Sequence, residues 1–228
     1  MSEETKLFIV PTPIGNLKDI TFRSIEIMKN SDYILCEDTR VSKKLLNHYK
    51  INKPLKTYHA HNEHKVYSKY INDMKLGMQI CLISDAGTPS ISDPGYLLVK
   101  EAIKLKLKIE CLPGPTALIP ALVKSGLPSE KFVFEGFLPS KKGRSKRLNI
   151  LLNETRTMIF YESPLRLLKT IEEFKNFFGN ERQVSISREI SKIYEETING
   201  SLSEVHEILL KKKIKGEIVI ILTGSKKQ

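Results

Sequence analysis

The residues with the most chemical promise form the run SDAGTPSISDPG at 84–95. Gly87 and Gly95 allow backbone conformations closed to other residues, while Pro89 and Pro94 stiffen the path. Such a loop presents backbone donors and acceptors to a ligand at little entropic cost. The alternative is a rigid strand-to-helix connector, and the loop's place at a strand's C-terminal end favours the ligand role. Ser92 or Asp93 is placed to cap a helix starting near Pro94. PTPIGN at 11–16 has a similar character but lacks G-x-G-x-x-G, and G-x-x-x-x-G-K-[ST] occurs nowhere. With both pyrophosphate-binding patterns missing, a ligand without a pyrophosphate fits better.

Four further segments carry chemistry-bearing residues. HAHNEH (59–64) holds three histidines; on a strand His59 and His61 would share a face, and His64 could close a triad. No other Cys or His cluster supplies ligands, so a polar wall touching substrate is the preferred reading and no metal is expected. KKGRSKR (141–147) presents Lys141, Lys142, Arg144, Lys146 and Arg147, a solvated loop or a phosphate-contacting one in which Arg144 and Arg147 bind bidentately. KKKIK (211–215) is a weaker candidate, since Lys at a helix C-terminus has a structural use. FYESPLR (160–166) sets Glu162 at a strand end, and SREISKIYEE (187–196) adds Arg188, Glu189, Glu195 and Glu196, which also suit surface ion pairs in a hairpin.

The elements that must position these residues follow from apolar runs and periodicity. Strands are expected at 6–10, 33–37, 55–60, 79–84 and 108–112, with helices at 20–31, 41–49, 64–75 and 96–106. This β-α-β-α order with continuous apolar strands predicts a parallel sheet covered on both faces. Ligands of such sheets bind beyond the carboxyl ends of the strands, where these loops lie. After PGPT and a helix at 117–126, strands are expected at 131–137, 157–162, 183–189, 194–200 and 217–222, with helices at 165–178 and 202–213. Neighbouring strands without an intervening helix predict a mixed sheet. The boundary falls near residue 115, giving domains 1–114 and 115–228 with a cleft between them as the natural site.

The composition agrees. The chain has 228 residues, 40% of them hydrophobic, enough for a real core. No apolar run reaches the ~20 residues that span a bilayer, and MSEETKLFIV has no signal-peptide pattern, so a cytoplasmic location is expected. Cys36, Cys81 and Cys111 lie in apolar runs and are expected to be buried. The net charge of +11 suits a polyanionic partner. The excess is concentrated in residues 115–228, with 20 basic against 13 acidic, compared with 17 against 13 before them.

Taken in order, PTPIGNLKDIT, CEDTR, HNE, SDAGTPSISDPG, LPGPTAL, FYESPLR and SREI resemble the ribosomal RNA small-subunit 2′-O-methyltransferase I family of the tetrapyrrole methylase superfamily. The resemblance covers nearly the whole chain. It implies a two-domain α/β tetrapyrrole methylase-like fold, with a parallel-sheet N-terminal domain and a mixed-sheet C-terminal domain. S-adenosyl-L-methionine would lie in the cleft, and the protein would be a homodimer. The implied reaction is methylation of a cytidine ribose 2′-hydroxyl in the decoding region of small-subunit ribosomal RNA. Carried onto this chain, the cofactor contacts are Ile14, Asp85, Gly87, Thr88, Pro89, Ile91, Thr116, Ala117, Tyr161 and Glu162. Thr88 stands where the superfamily's turn has Asp, which leaves the backbone role but not the carboxylate contact. His61, Glu63, Glu162 and Arg188 are the candidates for a general base or a stabiliser of the developing alkoxide. Two rivals follow from the same residues: a methyltransferase of this fold acting on a tetrapyrrole or other small acceptor, and a non-catalytic ribosome-binding factor.

Overall fold

A computed structural model describes residues 4–225. The N-terminal stretch used in the signal-peptide reading begins with residues 1–3, which lie outside the described ones. Residues 1–116 and 117–228 form two compact units, dividing two residues beyond the expected boundary.

In the first unit, β1 (Leu7–Ile9), β2 (Tyr33–Cys36), β3 (Leu55–Thr57), β4 (Ile80–Leu82) and β5 (Ile109–Cys111) form one sheet in the order β3-β2-β4-β1-β5. Every pairing in it is parallel. The helices are α1 (Phe22–Asn30), α2 (Thr39–His48), α3 (Glu63–Lys75) and α4 (Tyr96–Lys104). Alternate strand residues serve opposite faces. Leu7, Ile9, Leu35 and Leu82 pack with Ile71 and Met74 of α3 and Leu98 of α4, while Phe8, Ile34 and Cys81 pack with Met28 of α1 and Leu45 of α2. Two buried faces explain why these strands are apolar throughout.

That arrangement fixes a crevice. The adjacent strands β1 and β4 are followed by helices on opposite faces, α1 and α4. Their loops must part, as at the ligand-binding switch points of open α/β sheets.

The second unit opens with α5 (Leu118–Ser125). Its strands are β6 (Phe132–Phe137), β7 (Thr157–Glu162), β8 (Gln183–Arg188), β9 (Glu196–Ser201) and β10 (Ile218–Leu222), and its other helices are α6 (Arg144–Leu151), α7 (Leu167–Phe178) and α8 (Leu202–Leu210). The sheet runs β6-β7-β10-β8-β9 and is mixed: β6 pairs with β7 in parallel, the remaining pairs antiparallel. Phe160, Val184 and Ile220 pack with Phe174 of α7 and Val205 of α8, and Ile159, Val219 and Ile221 pack with Ala121 and Leu122 of α5.

Three sequence expectations need correction. The α4 helix begins at Tyr96, not near Pro94, and Gly95 (φ 140°) is its N-cap without a side-chain capping bond. Ser92 instead takes a left-handed conformation. Cys36 and Cys81 are buried, but Cys111 is exposed on the edge strand β5. The basic run 141–147 is not all loop, because α6 begins inside it at Arg144.

Candidate active site in the β1 and β4 loops

The crevice between β1 and β4 is closed at its base by backbone. Thr12 and Gly87 exchange two hydrogen bonds, each 2.9 Å, in an isolated antiparallel bridge. The Thr12 hydroxyl donates to the Ser84 carbonyl at 2.9 Å, and Ser84 Oγ donates to the Gly87 carbonyl at 3.1 Å. Thr88 Oγ1 donates to the Pro115 carbonyl at 3.1 Å, tying in the loop after β5. Three strand-end loops are thus held by side chains that the sequence marks only as Ser and Thr.

Gly87 sits at φ +82°, where an L side chain is strained, and a Cβ there would lie 3.5 Å from Ile14 Cγ2. Ser90 (φ 72°) and Ser92 (φ 64°) are also left-handed, costly conformations that tend to collect at ligand sites. Pro89 is buried, Ile14, Thr88, Thr116 and Ala117 are half-buried, and Asp85 is exposed. Ile91 is 39% exposed, an apolar side chain left at the surface of a loop otherwise tightly tied. The first unit therefore gathers Ile14, Asp85, Gly87, Thr88 and Pro89 around one crevice.

Glu37 and Asp93, to which the motifs assigned no ligand role, lie beside it. Asp38 N donates to Asp85 Oδ1 at 3.2 Å, and the Glu37 carboxylate accepts from the Asp85 backbone. Burial, with Asp93 and Asp85 nearby, pushes Glu37 up to about 7. Burial likewise raises Asp93 to about 6, against a hydrogen bond with Ser84 that lowers it. Asp85 is raised by desolvation as well. These carboxyls come from the loops after β2 and β4, a convergence that spacing alone does not reveal.

HAHNEH is a turn that runs into α3 at Glu63 rather than a strand, since β3 ends at Thr57. His61 is exposed, with its ring 6.1 Å from that of His59, and Glu63 Oε2 accepts from Tyr58 Oη at 3.3 Å. Among the described residues no group of three His, Cys, Asp or Glu side chains could hold a metal ion.

In the second unit the expected site residues have internal partners. Glu162 is 3% exposed; its Oε1 accepts from Arg166 Nη2 and from the Ser163 backbone, both at 2.7 Å, and its Oε2 from Thr170 Oγ1 at 2.8 Å. Both carboxylate oxygens of Glu162 are thus engaged by partners within the second unit. Arg188 Nε is bound to Glu196 Oε2 at 2.7 Å across the β8–β9 hairpin, where Lys192 pairs with Glu189 and Lys124 with Glu195. The hairpin charges thus follow the ion-pair reading. Tyr161 is half-buried, its ring 5.0 Å from Phe134 and 5.7 Å from Phe137.

The basic run divides by residue. Arg144 is 6% exposed and donates to Glu173 Oε2 (2.6 Å), Thr170 Oγ1 (2.6 Å) and the Pro139 carbonyl (3.1 Å), so its guanidinium is engaged within the unit. The Arg147 fork is filled bidentately by Glu135, at 2.6 and 2.7 Å. Lys141, Lys142 and Lys146 remain exposed.

Comparison with known proteins places this geometry. The family model of the Tetrapyrrole (Corrin/Porphyrin) Methylases matches residues 6–206. The chain belongs to that methylase family. It is 44% identical over 219 residues to Ribosomal RNA small subunit methyltransferase I of Thermotoga maritima, covering 96% of this chain and 98% of the relative. It is 47% identical to the protein of that name from Hydrogenobaculum sp., covering 96% and 95%. Among solved structures it resembles diphthine synthase (TM-score 0.74, 11% identity, covering 96% of this chain and 90% of that one). It also resembles a Thermus thermophilus uroporphyrin-III C-methyltransferase complexed with S-adenosyl homocysteine (TM-score 0.65, 17% identity, 96% and 97% covered). The family match takes in the whole first sheet and β6 to β9 of the second.

Proposed function

We propose that the protein transfers a methyl group from S-adenosyl-L-methionine to the ribose 2′-hydroxyl of a cytidine in the decoding region of small-subunit ribosomal RNA. The observation that carries the reading is the side-chain-free turn at Gly87, pinned to Thr12 at the β1–β4 crevice. The names of the relatives at 44% and 47% identity support the RNA acceptor. The complex of a same-fold methyltransferase with S-adenosyl homocysteine supports the donor. A homodimer and a cytoplasmic location belong to the same proposal.

The crevice fits the donor. Gly87 lies at φ +82°, a conformation that L side chains rarely adopt, so the turn keeps a residue without a side chain and allows close backbone approach. Ile14, Asp85, Gly87, Thr88, Pro89, Ile91 and Thr116 of the first unit would hold the group. When bound, it supplies an electrophilic methyl on a sulfonium. What remains for the protein is to position the acceptor hydroxyl and receive its proton. Thr88 has no carboxylate to offer, and its hydroxyl is engaged by the Pro115 carbonyl. Of the expected proton-handling groups, His61 is exposed and Glu63 is half-buried, whereas Glu162 and Arg188 are engaged internally.

The test is label transfer from radiolabelled S-adenosyl-L-methionine to small ribosomal subunits from cells lacking the enzyme, followed by mapping of the modified ribose. Label in ribose at a cytidine of the decoding region is expected. Label in a tetrapyrrole instead, or donor affinity unchanged in Gly87→Ala, would overturn the reading.

A further inference from the structure

The second unit holds a cavity of about 360 Å³ between β6 and α6. Phe134 and Phe137 of the strand and Ile150 of the helix supply apolar walls, and Lys146 and Arg147 supply cationic ones. Phe137 is 54% and Ile150 58% exposed, a large apolar area left uncovered beside cations. Such a combination is unusual for a merely solvated face.

The cavity is rigidly built. Its Leu138–Pro139 wall is gripped through the backbone, since Arg166 Nη1 donates to the Leu138 carbonyl at 3.2 Å and Arg144 Nη1 to that of Pro139 at 3.1 Å. Both arginines are anchored in turn by Glu162, Thr170 and Glu173. Glu135 is the extra residue of a β-bulge, because pairing with β7 jumps from Phe134 to Gly136. Bulges re-aim side chains, and here the Glu135 carboxylate holds the flat Arg147 guanidinium by two parallel hydrogen bonds.

We propose that this cavity is a nucleobase pocket that takes one unstacked base of the RNA, with adjacent phosphates on Lys146 and the neighbouring Lys141 and Lys142. The inference rests on the RNA acceptor argued under Proposed function. Bases splayed from single-stranded RNA stack on aromatic rings and guanidinium planes, and the pocket offers both. The lysine-rimmed mouth favours a polyanion over an apolar protein segment. Glu135 is already engaged by Arg147, so recognition rests on stacking and shows little base preference.

The experiment uses the full-length protein and a short fluorescein-labelled single-stranded oligoribonucleotide, with anisotropy followed across a salt series. Phe137→Ala is expected to weaken binding about tenfold with an unchanged salt slope, and Phe137→Trp to restore it. Ile150→Ala, on the helical wall, provides a second variant and is expected to weaken binding in the same sense. Calorimetry with S-adenosyl-L-methionine should give wild-type affinity for all three. Wild-type RNA affinity in both alanine variants overturns the pocket, as does their conversion of a dimer to a monomer with RNA binding intact, which would make this face a contact between copies. If the wild type binds the donor but neither binds RNA nor labels the small subunit, the functional reading itself fails. If the wild type does both and the variants match it, the pocket alone fails.

Discussion

Arg144 and Arg147 stand three positions apart in one basic run, yet physics assigns them to different tasks. Arg144 lies under α7, and its side chain comes within 3.9 Å of the Glu162 carboxylate. Removing this guanidinium leaves the Glu173 carboxylate and the Pro139 carbonyl without it and takes a nearby cation from buried Glu162, which keeps Arg166 and Thr170. Arg144→Ala is therefore expected to cost about 3–5 kcal/mol. The Arg147 side chain is 44% exposed while that of Glu135 is 7%, so Arg147→Ala should cost about 1–3 kcal/mol, less than Arg144→Ala. Urea unfolding of the two variants checks this, and equal losses would refute the division. The sequence shows five cations in seven residues but not which of them turns inward, because the carboxylates that decide it, Glu135, Glu162 and Glu173, lie on β6, β7 and α7. Gly87 was legible for the opposite reason: its requirement for a left-handed turn is local.

Between elements, the loops after β2 and β4 are latched by carboxylates that titrate late. Glu37 is the sharpest case, raised from 4.5 to about 7 chiefly by burial. A carboxyl whose folded pKa lies above its unfolded one stabilises the fold fully only below the unfolded value. Its contribution is lost as pH rises from about 4.5 through about 7. Glu37→Gln keeps an acceptor for the Asp85 backbone but cannot ionise. We expect the variant to melt above the wild type at about pH 8, with the gap closing by about pH 4. Thermal melts of both proteins across that range check it; a gap independent of pH would refute the burial argument. The elements themselves were largely readable, since a doubly covered parallel sheet demands apolar runs such as LFI, YILC and ICL. The exception was α6, whose first turn carries Arg144, Lys146 and Arg147 around buried Leu148 and so hides its inward face. The start of α4 was misplaced because Gly95, rather than Ser92 or Asp93, takes the capping position.

At the scale of the whole molecule, the net charge of +11 overstates what arginine offers a polyanion. Arg144, Arg147, Arg156, Arg166 and Arg188 are all bound to carboxylates within the second unit. The outward field of that unit therefore falls chiefly to lysines, and Lys141, Lys142 and Lys146 cluster beside the cavity mouth. Counterion release makes their contribution measurable apart from stacking: each phosphate neutralised on single-stranded RNA adds ~0.7 to the salt slope. Replacing the three lysines together by Ala should reduce the slope of log affinity against log salt by about 2 and weaken binding to all RNA sequences alike. The variant's melting should stay close to that of the wild type, because these side chains are exposed. Anisotropy titrations over a salt series give the slope directly. An unaltered slope would return residues 141–146 to the role of a solvated face and move the phosphate contacts elsewhere on the lysine-rich surface. Composition announces a polyanionic partner, but only the internal pairing of the arginines shows which cations remain to meet it.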